Sequence, residues 1–123
     1  MRVNQQFRVP LTLTLTGANT DFQVVIPRAF ASSRYQILTA KAFGRAAGIG
    51  AATVGLFTAA GGGGTTLVTN VAPALAGVDV IFQFTLAAGA LSALVTAETL
   101  FWRVGTAGVN SCDVELLISE VGP

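Results

Sequence analysis

Asp113 and Glu115 are the most closely spaced acids in the chain. Two positions apart on one strand face, their Cα atoms lie roughly 7 Å from each other. That spacing suits a carboxylate pair holding a divalent cation or dividing acid and base duties. No third acid stands beside them, and the stretch alternates like any solvated strand face, so an exposed polar face is the preferred reading. Arg103, between Trp102 and Val104, is placed to pair across strands with one of the two acids.

Cys112 is the single cysteine, so no intrachain disulfide can form. Its place on the apolar side of a strand marks a buried structural thiol and not a nucleophile. The chain contains no histidine, which removes Cys-His and Ser-His pairs, and it has no Gly-x-Ser-x-Gly. Four consecutive glycines, Gly61 to Gly64, invite a phosphate-loop reading. A phosphate loop continues Gly-Lys-Ser/Thr into a helix, whereas Thr65 and Thr66 follow here and no lysine occurs after Lys41. A dinucleotide fingerprint fails as well, because Thr66 stands where its third glycine would be. The glycines read as a hairpin tip. No catalytic residue, metal ligand or cofactor site is expected, and the protein is expected not to be an enzyme.

The acids belong to a stretch that reads as two closing strands of a sheet. These are Thr99-Leu-Phe-Trp-Arg-Val104, a turn over Gly105 to Asn110, and Ser111-Cys-Asp-Val-Glu-Leu-Leu-Ile118. On the second, Cys112, Val114, Leu116 and Ile118 face one side and Asp113 and Glu115 the other, the period-2 signature of a half-buried strand. Upstream, Leu11, Leu13 and Leu15 alternate with Thr12, Thr14 and Thr16. Pro10 limits pairing at the start of that run, which places it at an edge or in an arm. Phe22 to Ile26 forms a short strand ended by Pro27. Arg34 to Phe43 follows, with Tyr35, Ile37, Thr39, Lys41 and Phe43 on one face and Gln36, Leu38, Ala40 and Ala42 on the other. Thr53 to Thr58 is a strand whose internal Gly55 signals a bulge or the close approach of another backbone. Thr65 to Thr69 returns from the glycine tip. Val78 to Leu86 is a strand with Val78, Val80, Phe82 and Phe84 sharing a face, and Leu86 to Ala97 reads as a loop with one helical turn.

Roughly eight short strands and no long helix give an all-β fold: a single-domain β-sandwich, with an eight-stranded jelly roll ahead of an immunoglobulin-like arrangement. The domain spans residues 10–123 behind a polar N-terminal arm over residues 1–9. That arm, Arg2, Val3, Asn4, Gln5, Gln6, Phe7, Arg8 and Val9, is the expected partner-binding segment.

Of the 123 residues, 52% are hydrophobic and only 11% charged, against about 25% charged in an average domain. Such a chain is expected to have much of its surface covered by other subunits. Residues 1–45 carry six basic side chains against Asp21, and the remainder carries Arg103 against five acids. This asymmetry reads as a bipolar subunit whose ends meet oppositely charged neighbours. The arginines form no basic run, so nucleic-acid binding is not expected. Alanine, glycine and threonine dominate Ala46 to Ala97 and proline intervenes, so no membrane segment is expected. No signal peptide is recognisable at the N-terminus, and folding in a reducing cytoplasm is expected.

Thr53-Val-Gly-Leu-Phe-Thr-Ala-Ala-Gly-Gly-Gly-Gly-Thr-Thr-Leu67, and Leu100-Phe-Trp-Arg-Val-Gly-Thr-Ala-Gly108 leading into Cys112-Asp-Val-Glu-Leu116, resemble small head proteins of tailed bacteriophages, nearest to the capsid decoration, or cement, proteins. The likeness covers about 35 residues and is one of style, in short Thr-, Ala- and Gly-rich strands with few charges. It implies a β-sandwich or jelly-roll virion subunit, a homotrimer, made in the host cytoplasm and seated on major capsid proteins at the outer capsid surface. A different class is a jelly-roll module of a phage spike or tail accessory that binds carbohydrate or a receptor. Tyr35 and Trp102 are the amphipathic aromatics such a site would expose.

Overall fold

A computed structural model describes residues 5–27, 34–45, 48–87, 95 and 97–122. Among them run eight strands: β1 (Gln5–Thr14), β2 (Thr20–Val25), β3 (Arg34–Gly44), β4 (Val54–Ala59), β5 (Gly63–Val71), β6 (Ile81–Gln83), β7 (Thr99–Val104) and β8 (Ser111–Gly122). A short 3-10 turn, Ala60–Gly62, joins β4 to β5. The strands make two four-stranded antiparallel sheets, ordered β1-β8-β3-β6 and β2-β7-β4-β5, and the expected all-β sandwich is the observed fold.

The pairings have a simple rule. β1 pairs with β8, β2 with β7, β3 with β6 and β4 with β5, so first meets last and each inner pair follows. The chain is one long antiparallel hairpin with its tip at the β4–β5 turn, rolled into two layers. β3 then adds to β8, and β4 to β7.

Alternation fills the space between the layers. Leu13, Leu15, Cys112, Leu116 and Ile118 from one side of the core and Leu56, Leu100, Trp102 and Val104 from the other are all 0% exposed. Phe84 packs on Trp102 with ring centroids 5.5 Å apart, and Phe82 meets Phe84 edge-on.

Several sequence expectations need correction. β7 and β8 belong to different sheets, so residues 105–110 carry the chain from one layer to the other and do not close a hairpin. Alternation tells which face of a strand is buried, and both strands bury theirs in the same core, which is why the two arrangements look alike in sequence. The N-terminal arm is also revised. Gln5 to Val9 is the first half of β1, paired residue by residue with β8 from Gln5↔Glu120 to Val9↔Leu116, while Arg2, Val3 and Asn4 lie outside the described residues. Phe7 and Val9 continue the inward rhythm of Leu11 and Leu13, and both pack on the core. Pro10 sits on an edge strand, where its missing N–H removes no needed ladder bond.

The β3 face assignment holds only in part. A register shift between Ile37 and Thr39 inserts an extra residue, so Tyr35, Ile37, Ala40 and Ala42 point inward while Thr39 and Lys41 do not. The expected strand over Val78 to Leu86 contracts to Ile81–Gln83. Asp79 takes a positive φ of 66° that interrupts extended backbone, and Val78 is left 60% exposed. The helical turn expected between Leu86 and Ala97 falls on residues 88–94, which are outside the described residues.

Candidate interaction surface

The acids Asp113 and Glu115 lie on the outward face of β8, between β1 and β3. Each is engaged separately. Arg8 of β1 places Nη1 2.7 Å from Glu115 Oε1, and Arg45, just past β3, places Nε 3.6 Å from Asp113 Oδ2. Thr12 Oγ1 donates to Asp113 Oδ1 at 2.7 Å. Lys41 lies opposite Glu115 in the β3–β8 ladder. Among the described residues no group of three or more His, Cys, Asp or Glu side chains comes together in a way that could hold a metal ion.

Arg103 does not meet either acid. It sits on β7, in the other sheet, directly opposite Asp21 of β2, and its Nη1 donates to Asp21 Oδ1 at 2.9 Å. Its Nη2 reaches Asn19 Oδ1 at 3.4 Å. The second oxygen of Asp21 accepts the Gly61 N–H at 2.8 Å. Partial burial pushes the Asp21 carboxyl up, but the Gly61 N–H and the Arg103 guanidinium outweigh it, and the net shift is below the ordinary value. These three ion pairs, 8 with 115, 45 with 113 and 21 with 103, each join the basic first part of the chain to its later part or the reverse. The expected bipolar subunit is therefore corrected. For Arg8, Asp21 and Arg45, the β1–β8, β2–β7 and β3–β8 neighbourhoods set unlike charges against each other within one molecule.

Of the expected arm, Gln6 and Arg8 are exposed on β1, Phe7 is half-buried and Val9 is 7% exposed. Only alternate residues of Gln6 to Val9 face outward, so the segment presents a polar strip of an edge strand. Cys112 is fully buried, and burial first, with the neighbouring Asp113 charge second, pushes its thiol up to about 11. Trp102 and Tyr35 are both 0% exposed, and the Tyr35 hydroxyl donates to the Ala97 carbonyl at 2.8 Å.

The edge of the sandwich formed by β5 and β6 is different, although Ile81 shares the outer face of its sheet with Phe43 and Asp113. From Ala46 to Ala97 the only charged residue is Asp79. This stretch supplies β4, β5 and β6, and it leaves Val71, Val78 and Ile81 exposed, the last two at 60%. Between the edge strands β5 and β6 opens a groove of about 440 Å³ lined by Thr69, Asn70, Val71, Phe82 and Leu86.

Two features escaped the sequence reading. Glu120 is 1% exposed. It occupies the next inward position after Cys112, Val114, Leu116 and Ile118, so continuing that alternation two residues would have found it. The Asp21–Gly61 contact spans 40 residues and carries no local signal.

Among the described residues no helix is long and apolar enough to cross a membrane. No protein-family model, no curated protein and no solved structure matches the chain.

Proposed function

We propose that this chain is a non-catalytic virion protein that binds the outer surface of a tailed-phage capsid and cements neighbouring major capsid proteins. The observation that carries the reading is the distribution of charge. The described ion pairs neutralise charges within the subunit, whereas the β4–β6 side holds one charge and exposes Val71, Val78 and Ile81. Covering that side with another protein strands almost no ions and removes apolar surface from water, which is the composition of a lasting protein contact.

The fold supports the same reading at a finer level. Pairings of β1 with β8, β2 with β7, β3 with β6 and β4 with β5 are those of a rolled hairpin, and we read the sandwich as an eight-stranded jelly roll. The subunit associates as a homotrimer through a surface other than the capsid-facing one, which gives a native mass three times that of the chain at low micromolar concentration; a monomer over the whole concentration range removes the trimer.

Because a protein that binds only the finished shell stabilises it by mass action, heads supplied with this chain should withstand heating better than heads assembled without it. Equal melting of the two would remove the cementing role. The carbohydrate-module reading has no comparable support, since Trp102 and Tyr35 are buried and offer no stacking surface.

A further inference from the structure

The β4–β5 turn does more than reverse the chain. Phe57 points to the outer face of its sheet, opposite Phe101, and yet is 7% exposed. Part of its cover is the turn itself. A Cβ added to Gly62 would stand 4.0 Å from the Phe57 ring and 3.6 Å from the Arg103 side chain, so the Gly62 backbone lies on both. The turn leans over β7 toward β2, the strand on the far side, and it is there that the Gly61 N–H meets Asp21. Gly61 and Gly62 both adopt positive φ, 73° and 76°, which lets the tip fold flat at little steric cost.

We propose that the Gly61–Gly62 tip is a strap latched over Phe57 by the Asp21 carboxylate, and that neutralising this carboxylate lets the strap lift. Three groups face Asp21: the Gly61 N–H from the tip, the Arg103 guanidinium from β7 and, through Arg103, the Asn19 side-chain oxygen from the turn before β2. Arg103 is the one cation among them. Protonation removes the negative charge that both donors share, so the charge-assisted bond to the tip weakens together with the ion pair. Lifting exposes the Phe57 ring and the stem of Arg103 on the outer face of the sheet. The acid pH range of the event follows from the depressed carboxyl.

Amide hydrogen exchange tests this at single residues. In Asp21→Asn, and more fully in Asp21→Ala, the Gly61 amide should exchange roughly ten to a hundred times faster than in the wild-type protein at neutral pH, the equivalent of one charge-assisted hydrogen bond. Amides of β8 should be unchanged, and Glu115→Gln, which neutralises a paired acid in the other sheet, should leave Gly61 unchanged. Should the Asp21 variants fail to fold, the wild-type protein supplies the test. Its Gly61 amide resonance should follow a single carboxyl titration with a midpoint below the unfolded value of about 3.9 while β8 resonances stay fixed. A Gly61 amide indifferent to Asp21 substitution, or to acid over that range, would overturn the latch.

Discussion

Arg8 of the first strand donates to Glu115 of the last across 2.7 Å, joining residues 107 positions apart on the outer face of one sheet. The backbone ladder between the same strands runs from Gln5 to Thr14. The ion pair is the visible link, but its arginine is 62% exposed, and exposed pairs contribute about 0–1 kcal/mol. The buried side of the same strand does far more. Arg8→Ala should therefore lower stability by less than about 1 kcal/mol, whereas Leu13→Ala should cost about 2–5 kcal/mol. Urea denaturation of the two variants checks this. Equal losses would mean that β1 is held mainly by its outer face.

Gly55 is a point of close approach in the β4–β5 pairing. A Cβ there would lie 2.9 Å from the Val68 carbonyl and 2.6 Å from the Asn70 side chain, at a place where the register shifts on either side of Leu56. Gly55→Ala should destabilise by about 1–3 kcal/mol through overpacking. Gly77→Ala meets open space and should be nearly neutral. Thermal unfolding of the pair decides it, and an unchanged melting temperature for Gly55→Ala would contradict the close approach.

The Cys112 thiol should be inert toward a water-soluble disulfide reagent in the folded protein and react fully on unfolding. Its raised pKa carries a sign for stability as well. The folded thiol stays neutral to about 11 while the unfolded one ionises from about 9, so its contribution is fully present below 9 and is lost as pH rises toward 11. Denaturation midpoints measured from pH 8 to 11 should fall less steeply in Cys112→Ala than in the wild-type protein. Rapid labelling of the native thiol would show that the site opens.

Trp102 lies in the core beside Phe84, opposite Phe22 of β2. Its emission should be blue-shifted and resist quenching by acrylamide, and neutral oligosaccharides at millimolar concentration should leave it unchanged. Trp102→Ala should cost about 3–5 kcal/mol. A sugar-dependent change in Trp102 emission would revive carbohydrate binding.

These residues also show what the chain discloses before it folds. The Leu-Thr alternation of β1 and the Cys112 to Ile118 alternation of β8 are each enforced by one buried face, so strand identity and inward side chains are legible locally. Partnership is not. Whether β7 turns back on β8 or crosses to the other layer depends on contacts with β2 and β4, far away in sequence. The bulge at Ile37 and Thr39 has no glycine or proline to announce it, and it flips the face of everything after it. Gly55 did announce its close approach, because a side chain cannot fit there. Arg103 was correctly read as a pairing cation but assigned to the wrong acids, since the sequence places it only ten residues before Asp113 and twelve before Glu115, while the fold places it against Asp21, 82 residues earlier.

The proposed contact between the sparsely charged β4–β6 side and the outer surface of a capsid can be measured as binding to shells. Purified protein mixed with phage heads assembled without it should co-sediment with them and saturate at a fixed number of copies per shell. Ile81→Lys, which places a charge at a 60%-exposed position on that side, should fold normally and lose at least tenfold in affinity, the effect of stranding one ion in an apolar contact. Wild-type protein that stays in the supernatant at every concentration, or a variant that binds as well as the wild type, would contradict the account.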